Sequence, residues 1–76
     1  MTKIIYGCYC YNREGDLERN YDFETLEEAK KKFEEIKKEG VYSYFYGDVD
    51  FVDLVKVKEH NDENWDIIKK IDSCYR

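Results

Sequence analysis

The sequence contains no proline and only four glycines in 76 residues. That composition excludes collagen-like, proline-rich and low-complexity architectures and points to regular elements joined by short turns. The glycines are isolated from one another, so no loop resembles a phosphate cradle. No apolar run approaches the roughly 20 residues that a membrane-spanning helix needs. The opening Met-Thr-Lys-Ile-Ile-Tyr-Gly turns polar too soon for a secretory signal. A soluble cytoplasmic chain is therefore expected. Positive charge is also short: 13 Lys and Arg stand against 18 Asp and Glu, for a net charge of −5. Phosphate backbones and anionic lipids attract the opposite sign, so neither direct nucleic-acid binding nor membrane binding is expected.

Cysteine and histidine are too sparse to carry chemistry. Cys8, Cys10 and Cys74 are an odd number and cannot all pair internally. Cys8 and Cys10, two apart on a strand, would sit near the upper limit of disulfide reach. Reduced thiols in a reducing compartment follow. With His60, the only histidine, these cysteines could form a Cys3His zinc set, but the C-x2-C spacing is missing. Small thiols filling space beneath a helix is the simpler reading, and no metal or cofactor is expected. His60 lies in a polar stretch beside Asn61 and Asp62, which leaves no base placed to activate a nucleophile. No catalytic residues are assigned and no enzyme is expected.

Helix signals are concentrated in one place. Thr25 and Glu28 form a T-x-x-E capping box, and Leu26, Ala29, Phe33 and Ile36 make a narrow apolar stripe. Glu27 and Glu28 in the first turn and Lys37 and Lys38 in the last suit the macrodipole. Glu27–Lys31, Glu28–Lys32 and Glu34–Lys38 are spaced for i,i+4 pairing. Gly40 supplies the left-handed stop. A stripe this narrow needs a sheet to lie on.

Strand signals supply that sheet. In residues 3–11, Ile4, Tyr6, Cys8 and Cys10 share one face and Ile5, Tyr9 and Tyr11 the other. Neither face is polar, which suggests a central strand. Asn12–Asp16 reads as a hairpin loop with Gly15 at positive φ. Leu17, Arg19, Tyr21 and Phe23 then alternate with Glu18, Asn20 and Asp22. Residues 41–46 read either as a strand, with Tyr42, Tyr44 and Tyr46 on one face, or as an ordered aromatic loop. Residues 51–59 form a strand whose apolar parity slips between Val52/Leu54 and Val55/Val57, as a bulge near Leu54–Val55 would explain. Trp65–Asp72 fits a helix capped by Asp62, with Trp65, Ile68 and Ile71 inward. It fits equally a strand closing a hairpin, and its β-branched content favours the strand. The expected fold is α+β within one domain, residues 1–76: an antiparallel sheet of about four strands in β-β-α-β-β order, one helix packed on one face.

Tyrosine is abundant, with eight in the chain. A sheet covered on one side leaves its other side open, and tyrosine suits such a face by joining contact area to a polar tip. Charge is uneven as well. Residues 1–38 are nearly balanced, whereas residues 48–66 hold seven acids and two lysines and so carry the whole excess. Asp48, Asp50 and Asp53 directly follow the run holding Tyr42, Tyr44 and Tyr46. Aromatic contact area beside steering charge fits a protein partner with a basic surface. Base stacking would need a basic rim that this region lacks. Acidic edge residues that discourage strand aggregation, and a homodimer through an exposed face, are the competing readings.

A short acidic chain rich in Tyr, Lys and Glu, with F-x-T-L-E-E-A-K at Phe23–Lys30, resembles small proteins of phages and mobile elements of low-GC bacteria. Anti-CRISPR and other anti-defence proteins belong to that population. The resemblance implies inhibition by binding, with an acidic aromatic surface occupying a nucleic-acid channel or an assembly interface. It carries no functional residue across.

Overall fold

Alternation of apolar side chains on both parities makes β1 (Lys3–Tyr11) an interior strand. It lies between β2 (Leu17–Phe23) and β3 (Phe51–Asn61), and β4 (Asn64–Tyr75) pairs with the far side of β3. The order is β2-β1-β3-β4, with every neighbour antiparallel. This is a computed structural model, and it describes residues 2–61 and 63–76. Asp62, the cap of the alternative helix over Trp65, lies outside the described residues. The segment after it is the strand β4.

The main helix, α1 (Leu26–Glu39), begins where its capping chemistry begins. Thr25 is extended, and its hydroxyl oxygen accepts the Glu28 amide at 3.3 Å. The same hydroxyl donates to the Glu28 carboxylate at 2.9 Å. Ala29, Phe33 and Ile36 are buried against the sheet. Leu26, at the first turn, stays partly exposed, so the packed stripe is shorter than its sequence spacing. None of the three i,i+4 pairs closes as an ion pair among the described residues. Glu28 is engaged by Thr25, and Lys32 turns to the rings of Tyr21 and Tyr44.

Two expectations are corrected here. Residues 41–46 are neither strand nor loop: Val41–Phe45 is a short second helix, α2, started by Gly40 at φ 98°. The Tyr44 amide donates to the Gly40 carbonyl at 2.8 Å, so the chain winds again as soon as α1 ends. A strand that turned Val41 and Phe45 inward would also turn Ser43 inward; one helical turn buries the two apolar residues without it. The element order is thus β-β-α-α-β-β, with two helices rather than one.

The bulge expected near Leu54–Val55 is present, but its extra residue is on β4, and the parity slip in β3 has another cause. β3 pairs with β1 without interruption through Cys8↔Leu54 and Gly7↔Val55. The irregularity at Leu54/Val55 falls in the pairing with β4, where Ile71 is the extra residue and turns into the helix-side core. Val52 and Leu54 face the helices, whereas Val55 and Val57 join Ile5 and Tyr9 in a separate buried cluster on the opposite face. Both faces of β3 are apolar because each carries a core.

The helix-side core contains Cys8 and Cys10 beneath α1, with the Cys8 thiol donating to the Ala29 carbonyl at 3.3 Å. Cys10 and Cys74 both pair with Val52, which puts two strand spacings, about 9.6 Å, between them and beyond disulfide reach. His60 is eight residues along β3 from Val52, about 26 Å at strand rise, so it does not join the thiols. Burial pushes the Cys8 and Cys10 thiols up to about 12.

Candidate functional site

Neither α1 nor α2 packs on the opposite face of the sheet, although Ile5, Tyr9, Val55 and Val57 on that face are buried. At one end of that face Tyr11, Phe51 and Tyr75 form an aromatic row across three strands. Tyr11 stacks on Phe51 with ring centres 5.0 Å apart, and Phe51 meets Tyr75 at 5.8 Å. Tyr75 is 68% exposed. The turn from α2 into β3 docks beside this row, with the Asp50 amide donating to the Tyr11 carbonyl at 2.8 Å and the Arg76 amide to the Asp50 carbonyl at 2.7 Å.

The six residues singled out from the sequence separate into three settings. Tyr42, Tyr46, Asp48 and Asp50 gather at the end of the sheet near the aromatic row. Tyr42 is 55% exposed, with the Arg76 guanidinium 4.8 Å from its ring centre, while Asp50 holds the same guanidinium at 3.4 Å. Tyr46 is 90% exposed and left-handed, at φ 54°. Asp48 is exposed beside it. Tyr44 points elsewhere, hydrogen-bonded to Lys32 and packed edge-on against Phe45 at 4.8 Å. It is structural. Asp53 lies on the open sheet face, where the Ser73 hydroxyl donates to it at 2.7 Å. The expected single face of three tyrosines is therefore replaced by an exposed pair, Tyr42 and Tyr46, because a helix rather than a strand presents them.

Other residues of this surface were not singled out from the sequence. Tyr75 joins through the β3–β4 register. Farther along the open face, Ile5, Tyr9, Asn20, Asp22, Glu59 and Trp65 line a depression of about 210 Å³. Its residues come from all four strands, and only the register brings them together.

Comparisons with protein-family models, curated proteins and solved structures return no match to this chain. No helix among the described residues is long and apolar enough to cross a membrane.

Proposed function

We propose that this chain is a non-enzymatic protein-binding module that engages a basic surface of a nucleic-acid-handling protein. In this reading it is an inhibitor of the anti-defence kind, carried by a phage or mobile element and acting in the host cytoplasm. The observation that supports it best is Tyr46. A tyrosine that is 90% exposed contributes little to a core, and its left-handed backbone carries a steric cost of about 1–2 kcal/mol. The left-handed backbone ends α2, with the Tyr46 amide donating to the Tyr42 carbonyl; glycine is the usual residue there, so the choice of an exposed tyrosine is what the core does not require. Tyr42 and Tyr75 add exposed aromatic area nearby, and Asp48 adds negative charge that steers a cationic partner, with Asp50 able to exchange its pairing with Arg76 for the partner's cation.

The test is capture by immobilised chain from host lysate, repeated with a Tyr42→Ala/Tyr46→Ala variant and with Asp48→Asn/Asp50→Asn. A basic protein should be retained by the native chain, with affinity falling as salt rises, and each variant should weaken it. Retention by both variants at unchanged affinity and salt dependence overturns the assignment of this surface.

A homodimer is the second reading, favoured by Trp65, Ile67 and Ile68 exposed on the edge strand β4. Three irregularities in its register and the adjacent Lys69 and Lys70 oppose simple edge-to-edge pairing. Light scattering at micromolar concentration separates the two, since a monomer removes the dimer.

A further inference from the structure

The depression on the open face is built around a tyrosine with nothing to bond. Tyr9 is only 3% exposed, and its hydroxyl makes no hydrogen bond among the described residues. No fully buried polar side-chain atom lacks a partner among those residues, so this hydroxyl retains solvent contact, and the depression supplies it. The ring lies flat along β1 because Gly7 leaves room: a Cβ there would come within 2.7 Å of the ring edge and 3.1 Å of the Asp22 carboxylate. Asn20 donates to the other Asp22 oxygen at 2.9 Å, which fixes the carboxylate with Oδ1 turned toward the ring.

Glu59 reaches the same place from the opposite side, on β3, and Trp65 stands next to it across the β3–β4 register. Asp22 and Glu59 line the depression together with Tyr9, and burial raises the Tyr9 phenol to about 12, with both carboxylates adding to the effect. Neither carboxylate has an ion-pair partner among the described residues. Lys3, opposite Glu59 in register, is turned to Glu24 at 3.2 Å.

Two carboxylates without an ion-pair partner, the Tyr9 hydroxyl and the partly exposed Trp65 indole make a receptor for a cation that also has apolar surface. A bare metal ion gains nothing from the indole; a basic side chain uses both charge and ring. We propose that this depression receives one arginine or lysine head group of the partner protein. The proposal rests on the reading of the chain as a binder of a basic protein surface, and it names the contact that reading lacks.

Trp65 is the only tryptophan, so its fluorescence reports on the site directly. Blocked arginine and blocked lysine amides are titrated against the intact chain, with blocked citrulline as the uncharged isostere of arginine. Amide NMR spectra locate the response. At least one cation should shift the signals of Gly7, the Asn20 side chain and the Trp65 indole, with citrulline about tenfold weaker. Asp22→Asn with Glu59→Gln should abolish the difference between arginine and citrulline, and Tyr9→Phe should weaken the cation while leaving the spectrum folded. Equal responses to arginine and citrulline, or cation shifts scattered away from these residues, overturn the proposal.

The same variants separate this proposal from the broader one. If a basic partner is captured undiminished by Asp22→Asn/Glu59→Gln but lost with Tyr42→Ala/Tyr46→Ala, the depression fails and the binding function stands. If blocked arginine occupies the depression but no basic protein is retained, the site stands and the function fails.

Discussion

Gly7 offers the sharpest test of the open face, because its substitution should change sign with its neighbour. Gly7 is not among the positive-φ glycines, so alanine fits its extended backbone. On backbone entropy alone Gly7→Ala should stabilise by about 0.4–1 kcal/mol. The added Cβ, however, would lie 2.7 Å and 3.1 Å from two carbons of the Tyr9 ring, and that ring is buried. Overpacking of this kind costs about 1–3 kcal/mol, which leaves a net loss of roughly 1–2 kcal/mol. Replacing Tyr9 with valine removes the ring edge. In that background Gly7→Ala should recover the backbone gain, for a coupling of about 2 kcal/mol between the sites. Urea unfolding followed by Trp65 fluorescence measures all four corners of the cycle. With a urea slope of about 1–3 kcal/mol per molar, the shift in midpoint is readily resolved. If Gly7→Ala is neutral or stabilising with Tyr9 intact, the ring does not lie over Gly7, and the floor of the depression is wrong.

Tyr46→Gly should raise unfolding stability by about 0.5–1 kcal/mol while weakening partner capture, since glycine removes the left-handed penalty together with the exposed ring. Denaturation and capture measured on the same variant check it, and a loss of stability would show that the ring packs. Alkaline stability follows from the buried groups. Cys8, Cys10 and Tyr9 are each held up at about 12, from ordinary values of 9.0 for the thiols and 10.0 for the phenol, chiefly by burial. Their neutral forms are favoured by folding, so the contribution is fully present below about pH 9 and lost as pH rises through about 12. Urea midpoints should hold to pH 9 and fall steadily above it; a midpoint that rises over that range contradicts the burial.

What could be read from the sequence was whatever depends on near neighbours. The Thr25–Glu28 cap, the Ala29–Phe33–Ile36 stripe, the Asn12–Asp16 turn and the inward thiols of β1 are all set by spacings of a few residues. Val41–Phe45 reads as a strand or loop from the sequence because i,i+4 places two residues on one face of a helix and, with i+2 between them, on one face of a strand as well. Ser43 was the only local sign that favoured the helix. The β3 parity slip was visible, yet nothing in a single strand says whether it marks a bulge or two cores. The depression was out of reach altogether. Asp22, Glu59 and Trp65 meet only through the registers of β2 against β1, β1 against β3 and β3 against β4, and shifting one register by a residue would turn its side chain to the other face.

The cations that the chain already holds show what its aromatic surfaces accept. Arg76 lies over Tyr42 and pairs with Asp50; Lys32 lies 4.8 Å from the Tyr21 ring and 5.0 Å from the Tyr44 ring; Arg19 lies 5.3 Å from Phe45. In each case a basic head group sits on an aromatic face, and at Tyr42 a carboxylate completes the arrangement. Trp65, Asp22 and Glu59 repeat the Tyr42–Asp50 pairing with one exposed ring and two acids beside the Tyr9 hydroxyl, but without an ion-paired cation among the described residues. Leaving two carboxylates together without a counter-charge costs stability unless solvent or a ligand compensates. A lysine introduced at Asn20 offers the decisive comparison. It would bring an ammonium beside Asp22 in place of the amide that now orients it, satisfying the acids from within. Asn20→Lys should therefore raise the unfolding midpoint and at the same time suppress the Trp65 response to blocked arginine. A variant that gains stability while still binding arginine as the native chain does would place the cation-accepting chemistry somewhere other than this depression.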